Sequence, residues 1–189
     1  MRNALADMTR PAPPASLAPA IAGHVVQVGM PPEPDARIRE LAVYRHDGGD
    51  PFAPADGVQV CRAAPSTPCA EPEPPGHRTY RYAAVATDEW GQSAPVYSAP
   101  FVVPDSPPVV RLTGPRRVRR GARVTFTVHA TDRDGDPLTY RWRLDGRTLR
   151  SRAGRVSVRI RRRGPHRLAV AVSDGFGGRT RASAAITVR

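Results

Sequence analysis

The chain has 189 residues, room for two domains of roughly 80 to 100 residues, and its 22 prolines and 16 glycines leave no apolar run near the ~20 residues of a membrane-spanning helix. All 29 basic residues are arginine, which excludes every mechanism built on a lysine, such as a phosphate-loop lysine or a Schiff base. The net charge of +12 hides a division: residues 1–107 carry 8 Arg against 12 acids, whereas residues 108–189 carry 21 Arg against 5 Asp. Proline divides the same way, 18 against 4. Two differently composed units therefore meet near Pro104-Asp105-Ser106-Pro107-Pro108. Arginine without lysine, beside abundant Ala, Pro and Gly, is also what a GC-rich bacterial genome encodes, so part of the charge follows codon usage.

In chain order, residues 1–19 alternate Pro with small residues and read as a flexible leader that forms no core. Asp7, Arg10 and the prolines interrupt every stretch that could act as a secretory signal. An exported protein would then be a fragment of a longer chain or carry a misplaced start; otherwise it stays inside the cell. Residues 20–104 read as the first sandwich. Val26 and Val28 lead to the turn-rich PPEPDAR, Leu41 and Val43 continue as a strand to Asp47-Gly48-Gly49, and Tyr80, Tyr82, Ala84 and Ala86 share one face of the longest strand. Asp88 to Gly91 turns, and Phe101 to Val103 closes the unit. Residues 108–189 read as the second sandwich. After a lead strand near Val109 to Leu112, apolar residues recur at every second position: Val124 to Ala130, Leu138 to Leu144, Val156 to Ile160, Leu168 to Val172, and Ala184 to Val188. Asp145-Gly146 and the Asp174 to Gly178 stretch mark reversals. No helical period appears. The fold class is all-β, two tandem immunoglobulin-like antiparallel β-sandwiches.

Thr79 to Ser93, TYRYAAVATDEWGQS, resembles the penultimate strand and turn of a bacterial fibronectin type III domain, and LAVYRHDGG resembles that family's third strand. The resemblance implies that Tyr80 is a tyrosine-corner residue whose hydroxyl binds nearby backbone. DRDGDPLTYRW, HRLAVAVSDGFGG and the closing strand to Val188 resemble a PKD or related bacterial immunoglobulin-like domain. Both resemblances imply sandwich modules of secreted or surface-attached proteins, acting as adhesion, spacer or binding units without catalysis. The alternative is an accessory, carbohydrate-associated region of a secreted polysaccharide-degrading enzyme whose catalytic domain lies outside this chain. The expected partners are other protein modules, extracellular glycans or anionic polymers.

Trp142, on the Leu138 to Leu144 face, is expected in the core with Tyr80 and Tyr82. Trp90, in a turn, is read as turn packing or as a stacking surface. Cys61 and Cys69 enclose seven residues with two prolines, a spacing that suits a disulfide pinning a surface loop, without the four ligands of a zinc site. Asp132, Asp134 and Asp136 in DRDGDP set carboxylates, the ligands calcium prefers, at two-residue spacing. In a sandwich the loop carrying them shares one end with the loop of Asp174 and the linker of Asp105. Calcium is the cofactor this cluster points to, and local capping of turns is the competing reading. Arg116, Arg117, Arg119 and Arg120, with Arg161, Arg162 and Arg163, converge at the opposite end as a weak polyanion-binding surface or a merely solvated one. Arg123, Arg141, Arg143 and Arg167 are read as spread over the outer faces of both sheets and lining no single groove. Sequence-specific nucleic-acid binding is not expected, because base-stacking aromatics are few. His24, His46, His77, His129 and His166 are scattered and no HExxH or GxSxG motif occurs, so no enzyme is read here.

Overall fold

The computed structural model describes residues 10–29, 36–65 and 67–189, in two units, Met1–Pro104 and Asp105–Arg189. Most of the PPEPDAR turn and the first nine residues of the leader lie outside the described residues. In the first unit the strands are β1 (Ala18–Ala22), β2 (Val25–Gly29), β3 (Glu40–Asp47), β4 (Val58–Ala63), β5 (Cys69–Pro72), β6 (Arg78–Asp88), β7 (Gly91–Gln92), β8 (Val96–Tyr97) and β9 (Phe101–Val103). One sheet has the order β1-β2-β5 and the other β4-β3-β6-β7, with β8 and β9 also paired to β6. Every one of these pairings is antiparallel.

Alternation decides which residues enter the core. Val26 and Val28 from β2 meet Val43 from β3 and Tyr80, Tyr82 and Ala84 from β6, together with Cys69 and Val103. Burial of each of these valines contributes about 1.5–3 kcal/mol. Strand β6 departs from simple alternation: Ala83 and Val85, on the face opposite Tyr82 and Ala84, are buried too. The tyrosine hydroxyls are also placed. Tyr80 donates to the Pro75 carbonyl at 2.9 Å, the bond that the fibronectin resemblance implies for a tyrosine corner.

Two expectations need correction in this unit. Leu17 belongs to the core, Pro11 and Pro14 are buried as well, and β1 begins at Ala18, so the segment read as a coreless leader contributes packing from Pro11 onward. A leucine after a run of prolines has no period to reveal this; only the sheet it packs against does. The Cys61–Cys69 disulfide forms, yet it does more than pin a loop. Cys61 sits in β4 of one sheet and Cys69 in β5 of the other, so the bridge joins the two sheets.

In the second unit the strands are β10 (Val109–Thr113), β11 (Arg117–Val118), β12 (Arg123–Thr131), β13 (Thr139–Leu144), β14 (Arg147–Thr148), β15 (Arg155–Arg159), β16 (Gly164–Ser173) and β17 (Arg179–Val188). The sheets are β10-β12-β15 and β11-β17-β16-β13-β14. Between them lie Phe126, Val128, Val156 and Val158 from the first and Trp142, Leu168, Val170, Val172 and Ile186 from the second. Trp142 is fully buried, and its indole N–H donates to the Ala153 carbonyl at 2.9 Å, which removes the cost of burying a polar group unpaired. Asp145 (φ 49°) and Gly146 (φ 82°) both adopt the left-handed conformation of a two-residue hairpin turn between β13 and β14.

Candidate functional site

Strand register fixes which loops meet. Thr139 at the start of β13 pairs with Ser173 at the end of β16, which pairs with Arg179 at the start of β17; in the facing sheet Val109 pairs with Thr131. Residues 105–108, 132–138 and 174–178 therefore leave the second unit at the same end. These three segments carry Asp105, then Asp132, Asp134 and Asp136, then Asp174.

The carboxylates are held by backbone. Asp132 Oδ1 accepts the Asp134 N–H at 2.8 Å, Asp134 Oδ2 accepts the Ser106 N–H at 2.8 Å, Asp105 Oδ2 accepts the Gly178 N–H at 3.0 Å, and Asp174 Oδ1 accepts the Phe176 N–H at 2.8 Å. Each of these four aspartates is thus a turn cap or loop tie through one oxygen. Asp105, Asp134 and Asp136 each present an oxygen within 4.8 Å of the others, whereas Asp132 and Asp174 lie outside that grouping. Asp174 is only 2% exposed, and its Oδ2 is buried without a hydrogen-bond partner, as is Asp132 Oδ2. Gly178 makes this approach feasible: a Cβ there would lie 1.9 Å from Asp174 Oδ2 and 3.0 Å from Asp105 Oδ2, so no other residue fits. Like charges gathered this closely repel, and a hard cation among them offsets that repulsion.

At the opposite end of the same unit, Gly121 N–H donates to the Ile160 carbonyl and the Arg120 side chain donates to the Arg161 carbonyl at 2.9 Å. This brings the Arg116, Arg117, Arg119 and Arg120 segment against Arg161, Arg162 and Arg163, all seven exposed. The sequence reading missed the group that organises this end. His166, buried, bonds Asp145 Oδ2 at 2.6 Å and the Arg162 carbonyl at 2.9 Å, joining the β13–β14 turn to the arginine loop. Its hydrogen bond to Asp145 raises its pKa against an opposing desolvation by burial. For Asp145, burial pulls upward, and the hydrogen bonds from His166 and the Arg167 N–H outweigh it and leave its pKa lowered.

A third correction concerns the strand arginines. Arg123 lies on β12 in one sheet, but Arg141, Arg143 and Arg167 line a single concavity on the other sheet together with Arg179 and Arg181. The signal was present in the alternation of Arg179 and Arg181 along β17, but register decides that these rows face Arg141 and Arg143.

In the first unit Glu71 on β5 accepts from Arg45 on β3 and from the Tyr82 hydroxyl at 2.8 Å, so a charged tie crosses between the sheets near the disulfide. Burial pushes the Tyr82 hydroxyl pKa up, and the Glu71 carboxylate adds to the shift. Trp90 is 43% exposed, and its backbone N–H donates to the Asp88 carboxylate within the turn. No helix among the described residues is long and apolar enough to cross a membrane.

No curated protein matches the chain significantly. Among solved structures, it is similar to the fibronectin(III)-like modules of Clostridium thermocellum CbhA, at 16% identity over 95% of this chain and 89% of that one, with a TM-score of 0.41. It is also similar to the chicken CNTN1 FN1-FN3 domains, at 13% identity over 94% and 66% with a TM-score of 0.46, and to the amphioxus IgVJ-C2 molecule, at 12% over 95% and 99% with a TM-score of 0.45. Identities this low carry no ligand or activity across. The family match is narrower and lies on the unit that holds the aspartate cluster: residues 105–188 match the PKD domain.

Proposed function

We propose that this chain is a non-catalytic pair of extracellular β-sandwich modules, serving as an adhesion, spacer or binding segment, whose second sandwich is braced by calcium. The observation that carries the calcium reading is Asp174, a buried carboxylate with one unpartnered oxygen beside Asp105 Oδ2. Asp105, Asp132, Asp134 and Asp136 supply the further oxygens that a six- to eight-coordinate calcium ion takes. Bound there, the ion fastens residues 105–107 and the 174–178 loop to the second sandwich. Two further facts support an extracellular setting: the PKD match and the disulfide, a bond that persists in oxidising compartments.

The test is thermal unfolding in millimolar calcium and in a chelator. A ligand selective for the folded state at about ten times its Kd adds about 1.4 kcal/mol, a rise of several degrees for a domain of this size. Asp174→Asn keeps the acceptor for the Phe176 N–H and removes the charge. It should abolish the calcium-dependent rise while leaving melting in chelator unchanged or slightly higher. Identical melting of the wild-type protein in both solutions would reduce the aspartates to turn caps.

A further inference from the structure

The outer face of the β13-β16-β17 sheet carries arginines on both sides of a floor of small residues. Register sets the rows: Arg141 pairs with Ala171, which pairs with Arg181; Arg143 pairs with Ala169, which pairs with Ser183; Thr139 pairs with Ser173, which pairs with Arg179. Strand β16 is thus the floor, and β13 and β17 are the walls, two inter-strand spacings or about 9.5 Å apart. Arg167 stands at one end and donates to Ser183 at 3.2 Å. The groove, of about 390 Å³, shares Arg141, Ala171 and Arg179 with an adjoining concavity of about 710 Å³ that continues to Arg150 and Arg152. No acidic side chain lines either part, and all seven arginines are exposed.

We infer that this groove is a binding site for a linear acidic polysaccharide, lying along β16 with its carboxylates forked by arginines from the two walls. Guanidinium groups match carboxylates in a planar, bidentate geometry, and successive outward positions on a strand repeat about every 6.7 Å, so a polymer meets several of them at once. The floor of Ala169 and Ala171 lets a sugar chain approach the sheet, and Ser and Thr at the margins offer hydroxyl partners. Two observations favour a glycan over nucleic acid. The groove between Arg141, Arg143 and Arg181 contains no aromatic ring on which bases could stack, and the one ring lining the adjoining concavity, Tyr140, packs against the core. The disulfide suits an oxidising compartment, and the choice of a glycan rests on the extracellular reading proposed above.

The experiment measures binding of the intact chain to polygalacturonate, with single-stranded poly(dT) DNA and neutral dextran as comparators, across a salt series. The expected result is polygalacturonate binding that falls steeply with salt and exceeds both comparators. Replacing Arg141, Arg143, Arg179 and Arg181 by Gln should weaken it at least about tenfold, since several ion contacts are lost together. Ala171→Glu, which removes no arginine and places a negative charge in the floor, should weaken it comparably. Replacing Arg161, Arg162 and Arg163 by Gln should leave it within about threefold. Melting should change little in each case, because exposed charges contribute little to stability. The inference is overturned by equal losses in the groove and loop variants, by a loss only in the loop variant, by no binding, or by poly(dT) binding as tightly as the glycan.

Discussion

Among the described residues His166 is the buried histidine whose ionisation the fold couples to a carboxylate, and it gives the second sandwich a pH dependence of definite sign. Its folded-state pKa is raised by Asp145, so the stabilisation is fully present below the ordinary histidine value and is lost as pH rises through the raised one. Asp145, with a lowered pKa, contributes above the ordinary carboxylate value and loses its contribution as pH falls through the lowered one. The pair is therefore most stabilising between those limits. Denaturant unfolding of wild-type protein and His166→Gln should show a larger stability difference at about pH 5.5 than at about pH 8.5. An equal difference at both values would mean that His166 is held by packing and by the Arg162 carbonyl alone. At this scale the sequence was informative where a residue's role depends on local alternation, as for Trp142 and Tyr80. It was silent on His166, whose partner 21 positions earlier lies across a strand pair.

Among elements, β5 has the most to hold together. It is an edge strand of four residues, and it carries both Cys69 and Glu71, which tie it to β4, β3 and β6 of the facing sheet. A short strand with few ladder bonds gains from such cross-sheet ties. Closing the loop between Cys61 and Cys69 should stabilise by about 2–3 kcal/mol through restriction of the unfolded chain. The double variant Cys61→Ser, Cys69→Ser should lower the denaturation midpoint of the first unit by a corresponding amount, while the transition of the second unit stays in place. Unchanged unfolding of the first unit would show that Arg45, Glu71 and Tyr82 suffice to hold β5. The pairing of the cysteines was legible because the spacing and prolines suit closure. Which sheets they join was not, because alternation marks a strand without saying which sheet it enters. The same ignorance of register hid the arginine groove: Arg141 and Arg181 are 40 positions apart in the chain and become neighbours across Ala171 only through two strand pairings.

Over the whole molecule, charge follows structure at two levels. The first 107 residues are mildly acidic and the remainder strongly basic, and within the second unit the acids gather at one end while Arg116 to Arg120 and Arg161 to Arg163 occupy the other. Convergence of the aspartate-bearing loops was legible because antiparallel strands return their loops to alternate ends, so parity alone groups Asp105, Asp134 and Asp174. Burial of Asp174 and the close fit of Gly178 were not, since both depend on side-chain packing inside that end. On the reading proposed here this end is built around a cation and is more than a set of capped turns. A crystal structure of the chain grown in millimolar calcium tests it most directly. An ion is expected about 2.3–2.6 Å from Asp174 Oδ2 and from oxygens of at least two of Asp105, Asp132, Asp134 and Asp136. Well-ordered aspartates in that crystal with only water, or nothing, at Asp174 Oδ2 would contradict it.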